Sequence, residues 1–389
     1  MTQSAYAEDK SPYGTFSGNF RYRYEFVDQD GLANNANANT ARLRLGYQSP
    51  TWEGLSAFGE IEGVQHIGPQ NFNDGMNGKT TYPRVNDPDI ADINQLYLNY
   101  DYNKLAQIRV GRQGLKYDNQ RFFAWSQFRQ NDTTYDAALV NFYPLSNKDL
   151  EISYNYSRAQ MRYSGNSSSA GRYSGHFHTL HAQGNLPQDL TLSGYAYLFG
   201  FDEQTEASLS SQTYGSRLTW NPKGDGWMPL GALEFARQFN YRNNPVSYAA
   251  NYAWVEAGVQ KKGTKISFIY EYLGSTGKAS VQTGLGSSYT FNGWADIVNA
   301  TPVEGLKDYQ IWAETPIPLP FKDQNLKASG QIHRFDSVQN GIHYGNEYDA
   351  ALSYEPFKNN IFTIQAGHYD ADQRFADTQK IWLSYEYKF

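Results

Sequence analysis

Polar and apolar residues alternate with a period of two along most of this chain, and helical spacing is scarce. From Phe16 to Phe26 one face reads Phe16, Gly18, Phe20, Tyr22, Tyr24 and Phe26. The other reads Ser17, Asn19, Arg21, Arg23 and Glu25. Side chains of an extended strand point alternately to opposite faces, so such a segment presents one apolar and one polar surface. Eighteen segments of this kind can be marked, from 14–27 at the start to 378–389 at the end, with 16 as the competing count. Long connections, roughly 67–89, 113–132 and 274–305, alternate with short ones such as 49–53, 103–104, 186–188 and 356–359. Proline punctuates short connections at Ser49-Pro50, Leu186-Pro187, Asn221-Pro222 and Glu355-Pro356, as expected of a residue that cannot donate to a strand ladder. The pattern predicts an all-β, antiparallel, up-and-down barrel with one end of long loops and one end of tight turns.

Composition decides what surrounds that barrel. The 389 residues include 32 Tyr, 22 Phe and 8 Trp, only 19% are charged, and there is no Cys. Mean hydropathy is −0.69, so the polar character comes from Asn, Gln, Ser, Thr, Gly and Tyr rather than from charge. No stretch approaches ~18 consecutive apolar residues, and no transmembrane helix is predicted. Abundant aromatics with period-two alternation match a transmembrane β-barrel, whose apolar positions meet lipid and whose aromatic residues gather at the interfaces. The expected place is the outer membrane of a Gram-negative cell, with long loops outside and both termini in the periplasm. A net charge of −6 speaks against a nucleic-acid binder. The lack of Cys removes thiolate metal sites and thiol catalysis.

Both ends agree with that compartment. Ala5-x-Ala7 before Glu8 reads as the remnant of a leader, so residues 1–13 are assigned to an N-terminal tail and 14–389 to one barrel domain. The final run, Ile381 to Phe389, alternates and stops on an aromatic. It resembles the C-terminal strand that outer-membrane barrels present to their assembly machinery.

An Arg or Lys facing lipid at the midplane costs about 2–4 kcal/mol, so strand charges belong in the lumen. Arg21, Arg23, Arg42, Arg44 and Arg109 then line one wall, with Glu60 and Glu62 beside the second-strand arginines. Later strands add Glu256, Glu271, Glu314, Glu347, Asp349 and Glu355, making the closing wall acidic. Barrel closure sets Glu386 against Arg21 and Arg23. Such ladders either satisfy themselves or impose a transverse field that orients a polar solute. The third loop is the richest segment, carrying Arg112, Arg121, Trp125 and Arg129 among further aromatics. Cations and flat rings suit a loop folded in as a constriction, since aromatic faces hold sugar rings and Arg forks take carboxylates. The competing reading is an external loop whose aromatics pack on the rim.

Gly111-Arg112-Gln113 leading to Asn119-Gln120-Arg121-Phe122 and Tyr135-Asp136 resembles the alginate export family of outer-membrane channels. So do Phe20-Arg21-Tyr22-Arg23-Tyr24-Glu25 and Ala41-Arg42-Leu43-Arg44-Leu45-Gly46-Tyr47. The resemblance covers nearly the whole chain and implies an 18-stranded barrel with an Arg-rich constriction. It casts Arg21, Arg23, Arg42, Arg44, Arg109, Arg112 and Arg129 as candidate pore cations. Two departures bear on the solute. The exporter's gate is a long periplasmic turn before the seventeenth strand, whereas here that turn is only Glu355-Pro356-Phe357-Lys358-Asn359-Asn360. The acidic closing wall also suits a polyanion poorly. The expectation is a passive channel, without cofactor or chemistry, for a polar or anionic solute such as an oligosaccharide, a uronate or a small organic acid. A non-selective general porin and, more remotely, a barrel enzyme are the alternatives.

Other chemistry is thin. In His176-x-His178-x-x-His181 two rings share one strand face and the third takes the other, so they do not converge on a metal. No Ser–His–carboxylate spacing stands out, and Ser275-Thr276-Gly277-Lys278 lacks the strand-to-helix setting of a phosphate loop. Asn71, Asn73, Asp74, Asn77, Asn86, Asp87 and Asp89 offer oxygen ligands for Ca²⁺ or for cation bridges to lipopolysaccharide. No strand presents an unmistakable apolar subunit interface, so a monomer is expected.

Overall fold

The computed structural model describes residues 12–287, 289, 291–320 and 324–389. The leader-remnant reading at Ala5 and Ala7 lies outside the described residues. The alternating segments form eighteen strands. The first nine are β1 (Thr15–Gln29), β2 (Ala36–Gln48), β3 (Leu55–His66), β4 (Ile90–Tyr102), β5 (Ala106–Gln113), β6 (Thr134–Phe142), β7 (Leu150–Met161), β8 (Arg172–Leu186) and β9 (Leu190–Phe201). The second nine are β10 (Ser211–Trp220), β11 (Met228–Asn240), β12 (Ala249–Lys261), β13 (Thr264–Leu273), β14 (Leu306–Ile317), β15 (Asn325–Asp336), β16 (His343–Phe357), β17 (Asn360–Ala371) and β18 (Thr378–Lys388). Each pairs antiparallel with its neighbours in the chain, and β1 also pairs with β18. The sheet is closed, and the count is 18.

Closure removes every sheet edge, so each strand backbone is satisfied by a neighbour, which is what a lipid solvent demands. At the seam the Phe389 N–H donates to the Gly18 carbonyl at 3.0 Å, and the Gly18 N–H to the Phe389 carbonyl at 2.7 Å. The Phe389 ring occupies the space a Cβ on Gly18 would need, so glycine is what lets the two strands meet. The resulting register sets Arg21 opposite both Glu386 and Arg42.

Alternation holds along the wall. In β2, Ala36, Ala38, Thr40, Arg42 and Arg44 are buried inward while Leu43 and Leu45 are exposed outward. An exposed apolar band of Leu96, Leu98, Ile108, Val110, Leu233 and Phe235 continues around the outside. Two features depart from the simple pattern. The connection after β9 holds a short 3₁₀ helix, Gln204–Leu209. More consequentially, the inner faces of β8 and β9 carry a run of aromatics, with Phe177, Tyr195, Tyr197 and Phe199 buried beside Thr179, His181 and Ser193.

The reason is that three long-end loops enter the barrel. Phe72 and Val85 of the second loop (67–89) pack on Val27, Ala36 and Ala38 of β1 and β2. Phe122 and Phe123 of the third loop (114–133) pack on β6, β8 and β9, with the Phe123 ring stacked 4.3 Å from Tyr135. Leu285, Phe291 and Val298 of the seventh loop (274–305) join the same cluster. Backbone bonds lock the loops together: Ala124 N–H to the Leu285 carbonyl at 2.9 Å, and Ser287 N–H to the Gln120 carbonyl at 3.0 Å. The third-loop aromatics therefore pack inside the lumen, not on the rim. The loops and the strand aromatics form a hydrophobic core inside the barrel.

Candidate functional site

Beyond its aromatic run the third loop crosses to the opposite wall and meets the arginines of β1 and β2. Arg21 donates from Nε to Gln130 Oε1 at 2.8 Å and from its guanidinium to the Gln127 carbonyl at 3.2 Å and to the Arg129 carbonyl. Arg42 donates to the Gln130 carbonyl at 3.1 Å and to Asn19 Oδ1 at 2.5 Å. Loop carbonyls thus replace water around two lumen cations.

The predicted cations divide into two groups. Arg23 is bound by Asp87 and lies 3.6 Å from Glu25, while Arg129 holds Glu25 at 2.8 Å and Asp87 at 3.8 Å. This quartet of two arginines and two carboxylates is charge-balanced and buried. Arg44 is likewise clamped between Glu62 and Asp132. Arg21 and Arg42 stand apart. Among the described residues no carboxylate forms an ion pair with Arg21, and Arg42 has only the long 3.8 Å contact with Glu386. Both line a cavity of about 530 Å³ at the short-turn side of the third loop, together with Lys116, Trp125, Glu60 and Glu386. Glu60 accepts a hydrogen bond from Asn94 at 2.7 Å, and the half-buried Trp125 donates its indole N–H to Asp132 at 2.9 Å. On the long-loop side of the same loop a smaller cavity of about 210 Å³ is lined by Ser126, Arg162, Tyr163 and Tyr173.

Three predicted site residues lie elsewhere. Arg121 is buried on the far side of the loop, paired with Glu271 at 2.7 Å and stacked 4.6 Å over Phe291, so it anchors the loop instead of facing solute. Arg112 shares the parity of the exposed Ile108 and Val110, opposite Leu96 in register, and holds Asp136 at 2.8 Å. It belongs to the outer rim, because an unbroken alternation after Arg109 turns it away from the lumen. Arg109 does face inward, over the Tyr97 ring at 4.6 Å, but away from the cavity. Sequence reading missed Lys116, Gln130 and Asp132, which carry no distinguishing spacing, and saw Asp87 only as a Ca²⁺ ligand. Asp87 is instead consumed by Arg23 and Arg129.

The remaining motifs resolve simply. Asp74 caps the turn at Met76 and Asn77, and among the described residues no three His, Asp or Glu side chains converge for a metal. Ser193, His181 and Asp118 do meet, but both Ser193 Oγ (2.6 Å) and His181 Nε2 (3.0 Å) bind the carboxylate. A triad needs the imidazole between serine and carboxylate, so this order activates no nucleophile.

The alginate export family matches residues 13–244, more than half of the chain. The chain belongs to that family. The same fold is found in solved structures of distant sequence: OpdL of Pseudomonas aeruginosa (13% identity, TM-score 0.71, 97% of this chain and 98% of that one) and OccAB4 of Acinetobacter baumannii (13%, 0.72, 97% and 98%). A third is OpdK of Pseudomonas aeruginosa in a crystal structure with vanillate (10%, 0.71, 96% and 98%). No curated protein matches the chain. Family and fold make it an 18-stranded outer-membrane channel rather than an enzyme.

The Asp87 latch between the second and third loops has a defined pH dependence. Burial raises the Asp87 carboxyl, but Arg23, Arg129 and the Gln130 N–H (2.8 Å) outweigh it and hold the group below its ordinary value of 3.8. A depressed carboxylate contributes stability that is complete above the unfolded value and lost as pH falls through the folded one. His66 Nε2 donates to the Asp87 carbonyl at 2.7 Å. The contribution of this latch to loop docking is therefore expected to be complete at neutral pH and to be lost only as the pH falls below about pH 4. Asp87→Asn should show the low-pH conductance at neutral pH. A low-pH conductance step that persists unchanged in Asp87→Asn would contradict this latch.

Proposed function

We propose that this channel passively conducts small organic anions, a ring bearing a carboxylate, through the cavity beneath the third loop. One observation carries the reading: Arg21 and Arg42 keep their charge uncancelled by any close ion pair, beside Trp125 and Lys116 on the cavity wall. Their N–H groups are engaged with loop oxygens, so the pair attracts through its field while Trp125 offers a flat face. Glu386 on β18 and Glu60 on β3 flank the pair on the same wall of the cavity. The vanillate in the OpdK crystal structure has this ring-plus-carboxylate chemistry. A long polyuronate fits less well, because the interlocked loops and the acidic closing wall oppose a continuous polyanion. We take the channel to be a monomer whose β18 is the strand presented for barrel assembly.

Reconstitution in planar bilayers under a salt gradient tests this. Anion-biased reversal is expected, with block by vanillate about tenfold tighter than by vanillyl alcohol, which has the same ring without the carboxylate. Equal, weak effects of both compounds with no ion bias would make the protein a general porin.

A further inference from the structure

The outer wall carries a set of arginines and imidazole donors that the pore does not use. On β8, His176 and His178 share the outward parity of exposed Leu180, opposite the buried inward row Phe177, Thr179 and His181. Each ring is held through Nδ1 by a tyrosine of β7: Tyr156 O–H to His176 at 2.9 Å and Tyr154 O–H to His178 at 2.9 Å. When a phenol donates to Nδ1, the proton sits on Nε2, which then points a donor away from the wall. Next in the register, Gly200 pairs with His176. The Arg242 side chain, from the loop after β11, lies across Gly200 in the space a Cβ would fill. Arg158 flanks the same place, bonded to the Gly175 carbonyl at 2.8 Å, and Arg237 follows on β11 over Phe239.

Charge and height make this belt unusual. The outward positions of β7–β11 carry no Asp or Glu, and the nearby Asp202 is taken by Arg158 at 3.2 Å. Around the barrel the corresponding outward cation, Arg334, is cancelled by Asp336 at 2.9 Å. The belt lies at the long-loop ends of the strands, directly above the exposed apolar band of Leu180, Leu233 and Phe235. With the long-loop end facing outside, that boundary is where the phosphates of an outer-leaflet glycolipid would meet the protein. Cations facing lipid cost little at the interface and are repaid by phosphate, which Arg forks bind bidentately. We infer that His176, His178 and Arg242 form a binding site for a phosphorylated glycolipid headgroup of the lipid A class on the outer wall.

Native mass spectrometry of the full channel in detergent tests this, with bisphosphorylated lipid A, its dephosphorylated form and inorganic phosphate as probes. Heat-modifiable gel migration and conductance confirm that each variant is folded. The native channel should retain bisphosphorylated lipid A. The triple variant His176→Ala, His178→Ala, Arg242→Ala should lose at least about tenfold in retention. Arg242→Glu, a single change in an exposed loop, should lose most of it even if the triple variant fails to fold, and Arg334→Ala should retain it fully. Undiminished retention by the folded variants, or equal retention of dephosphorylated lipid, would overturn the site. Inorganic phosphate bound as tightly as the lipid would reassign it to a free anion. A change of oligomeric state in the variants with lipid retention intact would reassign the belt to a subunit contact.

Discussion

Replacing Arg121 with Ala is expected to release the third loop and raise single-channel conductance severalfold while the barrel stays folded. Arg121 ties the loop to β13 through Glu271 at 2.7 Å and to the seventh loop through Asn292 at 2.8 Å, with its guanidinium stacked over Phe291. All of this is buried, and truncating one partner of a buried ion pair leaves the other charge uncompensated at a cost of about 3–5 kcal/mol. The barrel itself is held by strand pairs around its whole circumference, so the penalty falls on loop docking. Glu271→Gln keeps a hydrogen-bonding side chain for Tyr252 and Asn292 and should give a smaller rise. Conductance traces of the folded variants decide the matter. An unchanged level in Arg121→Ala would mean that the aromatic packing of Phe122 and Phe123 alone holds the loop.

The second large effect is on ion selectivity. The double variant Arg21→Ala, Arg42→Ala should lower the anion-to-cation permeability ratio by about fivefold to tenfold, roughly 1 kcal/mol of differential field. A balanced removal, Arg23→Gln with Glu25→Gln, should leave the reversal potential nearly unchanged, because that pair belongs to a quartet with no net charge. The contrast separates uncancelled cations from structural ones. If both double variants shift the reversal potential equally, the distinction between Arg21/Arg42 and the quartet is wrong.

Much of this architecture was legible in the chain. Period-two alternation is a property of the extended backbone itself, so it marked the eighteen strands, the inward parity of Arg21, Arg23, Arg42 and Arg44, and the opposition of Glu386 to Arg21. The same parity also placed His176 and His178 opposite His181. It failed where a rule about solvent was applied to a surface that a loop covers. Phe177, Tyr195, Tyr197 and Phe199 face inward because Phe122 and Phe123 of the third loop cover them, and no local pattern announces that docking. Arg112, which the family resemblance puts in the pore, keeps the outward parity of β5 with Ile108 and Val110.

The sequence by itself determined the barrel, its lipid-facing band and the lumen side of its first arginines, since these follow from nearest-neighbour geometry and the cost of charge in lipid, while closure of β1 on β18 decided between 16 and 18 strands. Only the tertiary structure decided which of those arginines keep an active charge. Arg23 meets Asp87 and Arg44 meets Asp132 across 64 and 88 residues of chain. Arg21 receives loop carbonyls in place of a carboxylate. Ion pairing and desolvation depend on which loop folds back onto which wall, and that contact is made in space, not in the order of residues.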